Sequence, residues 1–190
     1  MTDSQLEHEA TTQSIIAALA DPQKTWITLP PAATVPPALR AALDAFDAGE
    51  RPAAQAAMHW LRTEAVNAYG TSRTRLLIAE HRIAGFYSLA SAQVELRQAH
   101  RRSLGITQTI SSVPAALVTW IAKDPQSGIN GDELLLHAAG TARRAAALQA
   151  ATVLVVDAFD DATAAMWRNQ FGFKSSGDKR RLWLPLDETL

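Results

Sequence analysis

The stretch that most restricts how this chain can fold runs from Val118 to Phe173. An apolar run closes on Ile121-Ala122-Lys123. A short polar segment with two glycines follows, from Gln126 to Gly131. In the alanine-rich segment after it, Leu134, Leu135, Ala138, Ala142, Ala145, Ala146 and Leu148 fall mostly on one helical face. Residues 152–158 then read as a strand whose stretch 152–156 is continuous and largely β-branched, as a strand covered on both faces requires. Strand, glycine loop, helix and strand make a βαβ unit, and two parallel strands can be joined only by such a crossover. The loop puts backbone N–H groups at a helix N-terminus, where they and the helix dipole attract an anion such as phosphate.

Around this unit the rest of the chain supplies helices first and strands second. Residues 1–24 are a polar lead-in with a helix expected at 14–19, and residues 25–190 read as one domain. A short strand is expected at 26–29. Pro30-Pro31 and Pro36-Pro37 then interrupt regular structure. Leu39, Leu43 and Phe46 are at helical spacing in a helix expected to end at Gly49. Pro52 opens another, expected to continue to Tyr69-Gly70-Thr71. Residues 73–80 and 83–96 read as two strands joined by His81-Arg82, a tight turn without glycine. Gly85 marks a bulge or a close backbone approach. Residues 97–109 are a basic loop or short helix, and 114–122 a strand. Asp160 or Asp161 is suited to cap a helix over 162–170, which Gly172 ends. A last strand is expected over 181–186, with Pro185 at an edge or strand end.

Composition removes several function classes. There is no cysteine, so disulfides, a thiol nucleophile and cysteine-ligated metal centres are excluded. The five histidines show no paired spacing, so no metal site is expected. The net charge of −1 gives no overall attraction to nucleic acid or anionic lipid. No apolar run approaches the roughly 18 residues that span a bilayer. The acidic, polar start is not a signal peptide, and a cytoplasmic location is expected.

Four constellations carry chemistry in one reading and structure in another. Gln126 to Gly131 is a diphosphate cradle or an ordinary glycine-rich turn. Asp132 and Glu133 oppose the first reading, since a like charge at about 5 Å costs up to roughly 3 kcal/mol at an effective dielectric near 20. Trp167 with Phe171-Gly172-Phe173 faces a ligand or packs the core. Tyr69 and Tyr87 are the only phenols, each an acid if placed at a reacting atom. Arg97, His100, Arg101 and Arg102, with Arg73, Arg75, Arg143, Arg144 and Lys179-Arg180-Arg181, track a phosphate backbone if they share a face, and are scattered solvated charges if not.

The combination resembles the Gcn5-related N-acetyltransferases, and within them the toxin-like branch that acetylates the amino group of aminoacyl-tRNA. Four local patterns occur in order. Phe46-Asp47-Ala48-Gly49 with Ala57-Met58-His59-Trp60-Leu61 looks like the branch's opening. Ile83-Ala84-Gly85-Phe86-Tyr87-Ser88-Leu89-Ala90-Ser91 is similar to its V-x-G-[YF]-[YF]-x-L strand. Gln126 to Gly131 followed by Leu134-Leu135 resembles its CoA loop. Val155-Val156-Asp157-Ala158, Ala165-Met166-Trp167 and Phe171-Gly172-Phe173 match its last motif in part.

The resemblance implies an α/β (α+β) fold with a mixed, mainly antiparallel twisted sheet of about six or seven strands, flanked by helices, and a βαβ acyl-CoA-binding half. It implies acetyl-CoA as co-substrate, held by Ile121, Ala122 and Lys123 through the pantetheine. Gln126, Ser127, Gly128, Ile129, Asn130, Gly131 and Asp132 would hold the diphosphate. The acceptor is a primary amine that attacks directly, such as that of an aminoacyl-tRNA, and would lie against Trp60, Tyr87, Ser88, Arg97, Arg101 and Arg102. The partners implied are an antitoxin protein and a second copy in a homodimer. Three departures stand out. Ile129 replaces the loop's first glycine, the segment before Gly131 is about two residues short, and Trp167 stands where the branch has its general-acid tyrosine. An indole donates a hydrogen bond but gives up no proton. Two readings therefore stand beside acetyl transfer: a non-catalytic binding module of the same fold, and an RNA-binding protein.

Overall fold

The computed structural model describes residues 3–106 and 112–186. Their strands form one seven-stranded sheet in the order β1-β2-β3-β4-β5-β7-β6. The strands are β1 (Thr25–Thr28), β2 (Arg73–Ala79), β3 (Arg82–Glu95), β4 (Ser112–Lys123), β5 (Val153–Asp157), β6 (Lys174–Ser175) and β7 (Arg181–Pro185). The helices are α1 (Asp3–Ala20), α2 (Pro37–Ala45), α3 (Pro52–Thr63), α4 (Gln98–Ser103), α5 (Gly131–Gln149) and α6 (Asp161–Phe171). β1 pairs antiparallel with β2, and β7 antiparallel with both β5 and β6. β4 and β5 are parallel, joined by α5, which is the βαβ unit the sequence predicts. No helix among the described residues is long and apolar enough to cross a membrane.

By internal packing the chain forms two compact units. Met1–Ser88 with Trp120–Leu134 make the first, and Leu89–Thr119 with Leu135–Leu190 the second. In the first, β2 alternates cleanly. Leu76 and Ile78 join Leu39, Leu43, Met58 and Leu61 from α2 and α3, whereas Leu77 and Ala79 join Ala84, Ile129 and Leu134. Strand period two thus sorts one run of four apolar residues into two cores. The alternation slips by one at Gly85. Ile83 and Phe86 lie in the same cluster, and Ala84 and the Cβ direction of Gly85 both face the other. That is the count a β-bulge produces. In the second unit, Val153 and Val155 of β5 pack with Val113, Ala115 and Trp183.

Caps set the element ends. Pro37 and Pro52 open α2 and α3 in their first turns, where the missing N–H has no partner to lose. Asp160 caps α6 by accepting a hydrogen bond from the Thr163 N–H at 2.7 Å, and Gly172 closes it in the left-handed region at φ 71°. The glycine-free turn between β2 and β3 is Glu80-His81, one residue earlier than the expected His81-Arg82, with left-handed φ of 49° and 65°. Pro185 pairs with Val153 at the end of β7, beyond the short reach of β6.

Four expectations need correction. The lead-in is helical from Asp3 to Ala20, well beyond the expected 14–19, because Ile15 and Ala18 lie one turn apart on a buried face. α2 stops at Ala45, where Phe46 turns inward against Phe86 and Asp47 Oδ1 accepts from the Gly49 N–H at 2.8 Å. α3 stops at Thr63, and a separate 3-10 turn, Ala68–Gly70, follows. β6 has no signal in two residues and was not expected. The basic segment 97–109 holds the short helix α4, one of the two forms expected there, and residues 107–109 lie outside the described ones.

Candidate functional site

The segment from Ala122 to Leu134 is built around one buried carboxylate. Asp124 is 6% exposed. Its Oδ2 accepts from Arg82 Nη1 at 2.9 Å, and its Oδ1 from the Gln126 N–H at 2.7 Å. The second arm of Arg82 donates to the Gln126 carbonyl at 3.0 Å. Ser127 Oγ donates to the Asp124 carbonyl at 2.7 Å, and the Asp124 N–H to the Ala84 carbonyl at 2.9 Å. A guanidinium fork with a buried carboxylate fixes both partners in angle as well as distance. The start of β3 thereby braces the loop that follows β4.

Beyond the brace the backbone opens. Gly128 sits at φ 66°, a region where a side chain is strained. Among the described residues, the N–H groups of Gly128, Ile129 and Asn130 donate no hydrogen bond. Asn130 stands before α5. Its carbonyl accepts from the Glu133 N–H at 3.1 Å and its Oδ1 from the Asp132 N–H at 3.4 Å. A Cβ at Gly131 would meet no atom within 4 Å, so this side of the first turn is open. Three undirected N–H groups followed by a helix N-terminus suit a multiply charged oxyanion.

The two features that weigh against an anion here are met by local structure. Ile129 is 4% exposed and packs with Leu77, Ala84 and Leu134, so its side chain turns into the core. Gly85 permits this. A Cβ there would come within 3.0 Å of Ile129 Cδ1 and of Leu134 Cδ1, and 3.1 Å of the Ala122 carbonyl, which is the close approach its position suggested. Glu133 forms an ion pair with Lys24 at 2.7 Å, and Asp132 Oδ2 accepts from Asn130 Nδ2 at 3.2 Å. Of the residues assigned to the co-substrate, Ile121, Ala122 and Lys123 are half-buried at the end of β4, which continues past its last pairing with β5, Val118↔Val156.

The β5–α6 region of the second unit is different in kind. Trp167 is 6% exposed, with its ring 5.2 Å from both Phe171 and Phe173. Arg181 grips Asp157 through two hydrogen bonds of 2.7 and 2.6 Å, and those bonds raise the guanidinium pKa further above its ordinary range. Arg180 pairs with Asp161 at 2.9 Å. The cap bond from Thr163 lowers the Asp160 pKa below its ordinary value of 3.8.

The residues expected to meet an acceptor divide between the two units, Trp60, Tyr87 and Ser88 in the first and Arg97, Arg101 and Arg102 in the second. Trp60 stacks between Phe86 and Trp120, at 6.2 and 5.5 Å. Tyr87 and Ser88 are fully buried. Tyr87 lies against Trp26, and Ser88 Oγ accepts from Thr74 Oγ1 at 3.1 Å. Trp60 on α3 and Tyr87 and Ser88 on the inner strand β3 thus pack in the core. Arg97 and Arg102 are exposed at α4, and Arg101 donates to the Leu96 carbonyl at 2.6 Å. Tyr69 is exposed at 37%, with the Arg73 guanidinium 3.8 Å over its ring. Arg82, Asp124 and Lys24 were missed in the sequence. Only an acidic residue directly after an apolar strand hinted at Asp124. No group of histidine and carboxylate side chains able to hold a metal occurs among the described residues.

No family model matches the sequence, and no curated protein matches it either. Solved structures do match. A tyrosine-to-phenylalanine mutant of KacT superposes with a TM-score of 0.69 at 18% identity, over 86% of this chain and 95% of that one. AtaT complexed with acetyl-methionyl-tRNAfMet gives 0.67 at 19% identity, over 86% and 95%. A tyrosine-to-phenylalanine mutant of the AtaT toxin, bound to the C-terminus of the antitoxin AtaR and acetyl-CoA, gives 0.64 at 20%, over 86% and 94%. At such identities the likeness is one of fold. The chain shares the fold of KacT and AtaT, with the mixed, mainly antiparallel sheet flanked by helices that the resemblance implied.

Proposed function

We propose that this chain is an acetyl-CoA-dependent N-acetyltransferase. The observation that carries the reading is the braced loop. Arg82 and Asp124 hold it so that Gly128, Ile129 and Asn130 present N–H groups ahead of α5, with Ile129 folded out of the way. These groups would take the diphosphate, with Gly131 open beside them. The backbone of Ile121–Lys123 would hold the pantetheine. Acetyl-CoA supplies the acyl group as a thioester. The acceptor amine forms its N–C bond as the C–S bond breaks, and its proton is lost to solvent or the departing thiolate. The chain's share is binding and orientation. The neighbours' complexes favour the amino group of an aminoacyl-tRNA as acceptor and an antitoxin as protein partner.

Calorimetric titration with acetyl-CoA tests this. Micromolar binding that is lost in Gly131→Glu, with unfolding unchanged, is the expected result. Glutamate fits the open space there, so its charge is what acts. Binding that survives the change removes the loop from the site.

A second reading, a non-catalytic module of the same fold, is favoured by one observation: Trp167 fills an aromatic cluster and supplies no acid. Trp167→Tyr distinguishes the two. A gain in thiol release with an aminoacyl-tRNA supports a lost acid. Equal turnover by parent and variant shows that the parent needs none.

A further inference from the structure

We propose that the first unit carries a second ligand site, beside the edge strand β1, and that it takes a nucleoside phosphate. An open cleft of about 800 Å³ is lined there by residues that include Thr12, Ser14, Trp26, Thr28, Tyr69 and Arg75. That volume falls in the range of small-molecule sites, roughly 300–1,000 Å³. Among the described residues Arg75 is the only charged one in the lining, so none of these brings a carboxylate to compete for it.

The guanidinium is placed by the sheet. Arg75 stands directly across from Thr28 in the β1–β2 register, and its Nη1 donates to Thr28 Oγ1. Among the described residues Nη2 makes no hydrogen bond, and the buried Nε has no acceptor either. A guanidinium anchored at one nitrogen with donors left over is arranged for a phosphate oxygen. Tyr69, at the exposed rim, carries the Arg73 guanidinium 3.8 Å above its ring, which adds a second positive charge nearby. Trp26 and Tyr69 give the cleft flat aromatic surface on which a base can stack. Thr12 and Ser14 offer hydroxyls to a sugar. None of these residues belongs to the loop before α5, so the site stands whether or not the chain transfers acetyl groups.

A free mononucleotide and the end of an RNA strand share this chemistry. The full chain is titrated with adenosine 5′-monophosphate, and separately with a short single-stranded RNA bearing a 5′-phosphate. Sub-millimolar binding of the mononucleotide is expected, weakened roughly tenfold or more in Arg75→Gln. Tyr69→Ala, a change at the rim, is expected to weaken it several-fold and guards against misfolding of the first variant. Gly131→Glu is expected to leave it unchanged. If the RNA binds more tightly and also depends on Arg75, the occupant is an RNA end. If only the mononucleotide binds, it is the free nucleotide. Absence of binding at millimolar concentrations overturns the proposal. So does binding that ignores both Arg75→Gln and Tyr69→Ala, or that is abolished by Gly131→Glu and so belongs to the loop.

Discussion

Set against the pattern that the sequence resembles, the loop before α5 and the α6 segment both depart, and they absorb the departure in opposite ways. In the loop, a β-branched residue replaces a glycine and two carboxylates follow, yet the backbone donors remain presented. Ile129 goes into the core, Lys24 holds Glu133, and the Arg82–Asp124 pair fixes the turn. In α6, the replaced residue has itself become packing: Trp167 is enclosed by Phe171 and Phe173. A binding function can outlast side-chain changes when its groups are backbone N–H. A proton-donating function cannot, because it resides in one side chain.

The largest expected effect tests the α6 half. Trp167→Ala removes a buried indole and should cost about 3–5 kcal/mol of stability in urea unfolding. A loss below about 1 kcal/mol would mean that the ring is free to serve a ligand. Next is the loop. Ile129→Ala should cost roughly 2–4 kcal/mol for a buried aliphatic side chain, with acetyl-CoA affinity little changed. A stable variant with altered affinity would place the side chain in the cradle instead.

Asp124→Ala leaves the Gln126 N–H and one arm of Arg82 without their acceptor. About 1–3 kcal/mol of stability is expected to go, along with a larger share of acetyl-CoA affinity than Ile129→Ala removes. Equal affinities in the two variants would show the brace to be structural only. The smallest effect is the α6 cap. The folded pKa of Asp160 lies below 3.8, so its contribution is complete above that value and fades as pH falls through the lowered folded pKa. Acid unfolding of Asp160→Asn should therefore be shallower than that of the parent in the same window. Superimposable acid limbs would discard the cap as a pH-linked contact.

The loop was legible in part. Two glycines between a strand and a helix mark a possible anion site, but its donors and its brace come from different distances along the chain. Gly128 and Gly131 are local. Arg82 reaches Asp124 across 42 residues and Lys24 reaches Glu133 across 109, and nothing in the neighbouring sequence announces either pair. The acceptor side was misread for a related reason. Aromatic and hydroxyl residues on an apolar strand look alike whether they face a ligand or the interior, and Tyr87 and Ser88 face the interior.

What the sequence determined by itself is what one turn of chain can decide. Proline opens α2 and α3, Asp160 and Gly172 bound α6, and strand alternation sorts β2 between two cores. The βαβ order and the close approach at Gly85 belong here too. The caps and the alternation depend on backbone geometry or hydrogen bonds within a few residues, and the βαβ order and Gly85 are marked by local residue type even though their contacts are distant. Only the tertiary structure decided that Ile129 points inward, that Trp60 and Trp167 are enclosed, and that Asp124 has a cation to hold it. Those outcomes depend on which distant surfaces meet, and burial becomes defined only when the chain has closed around the side chain.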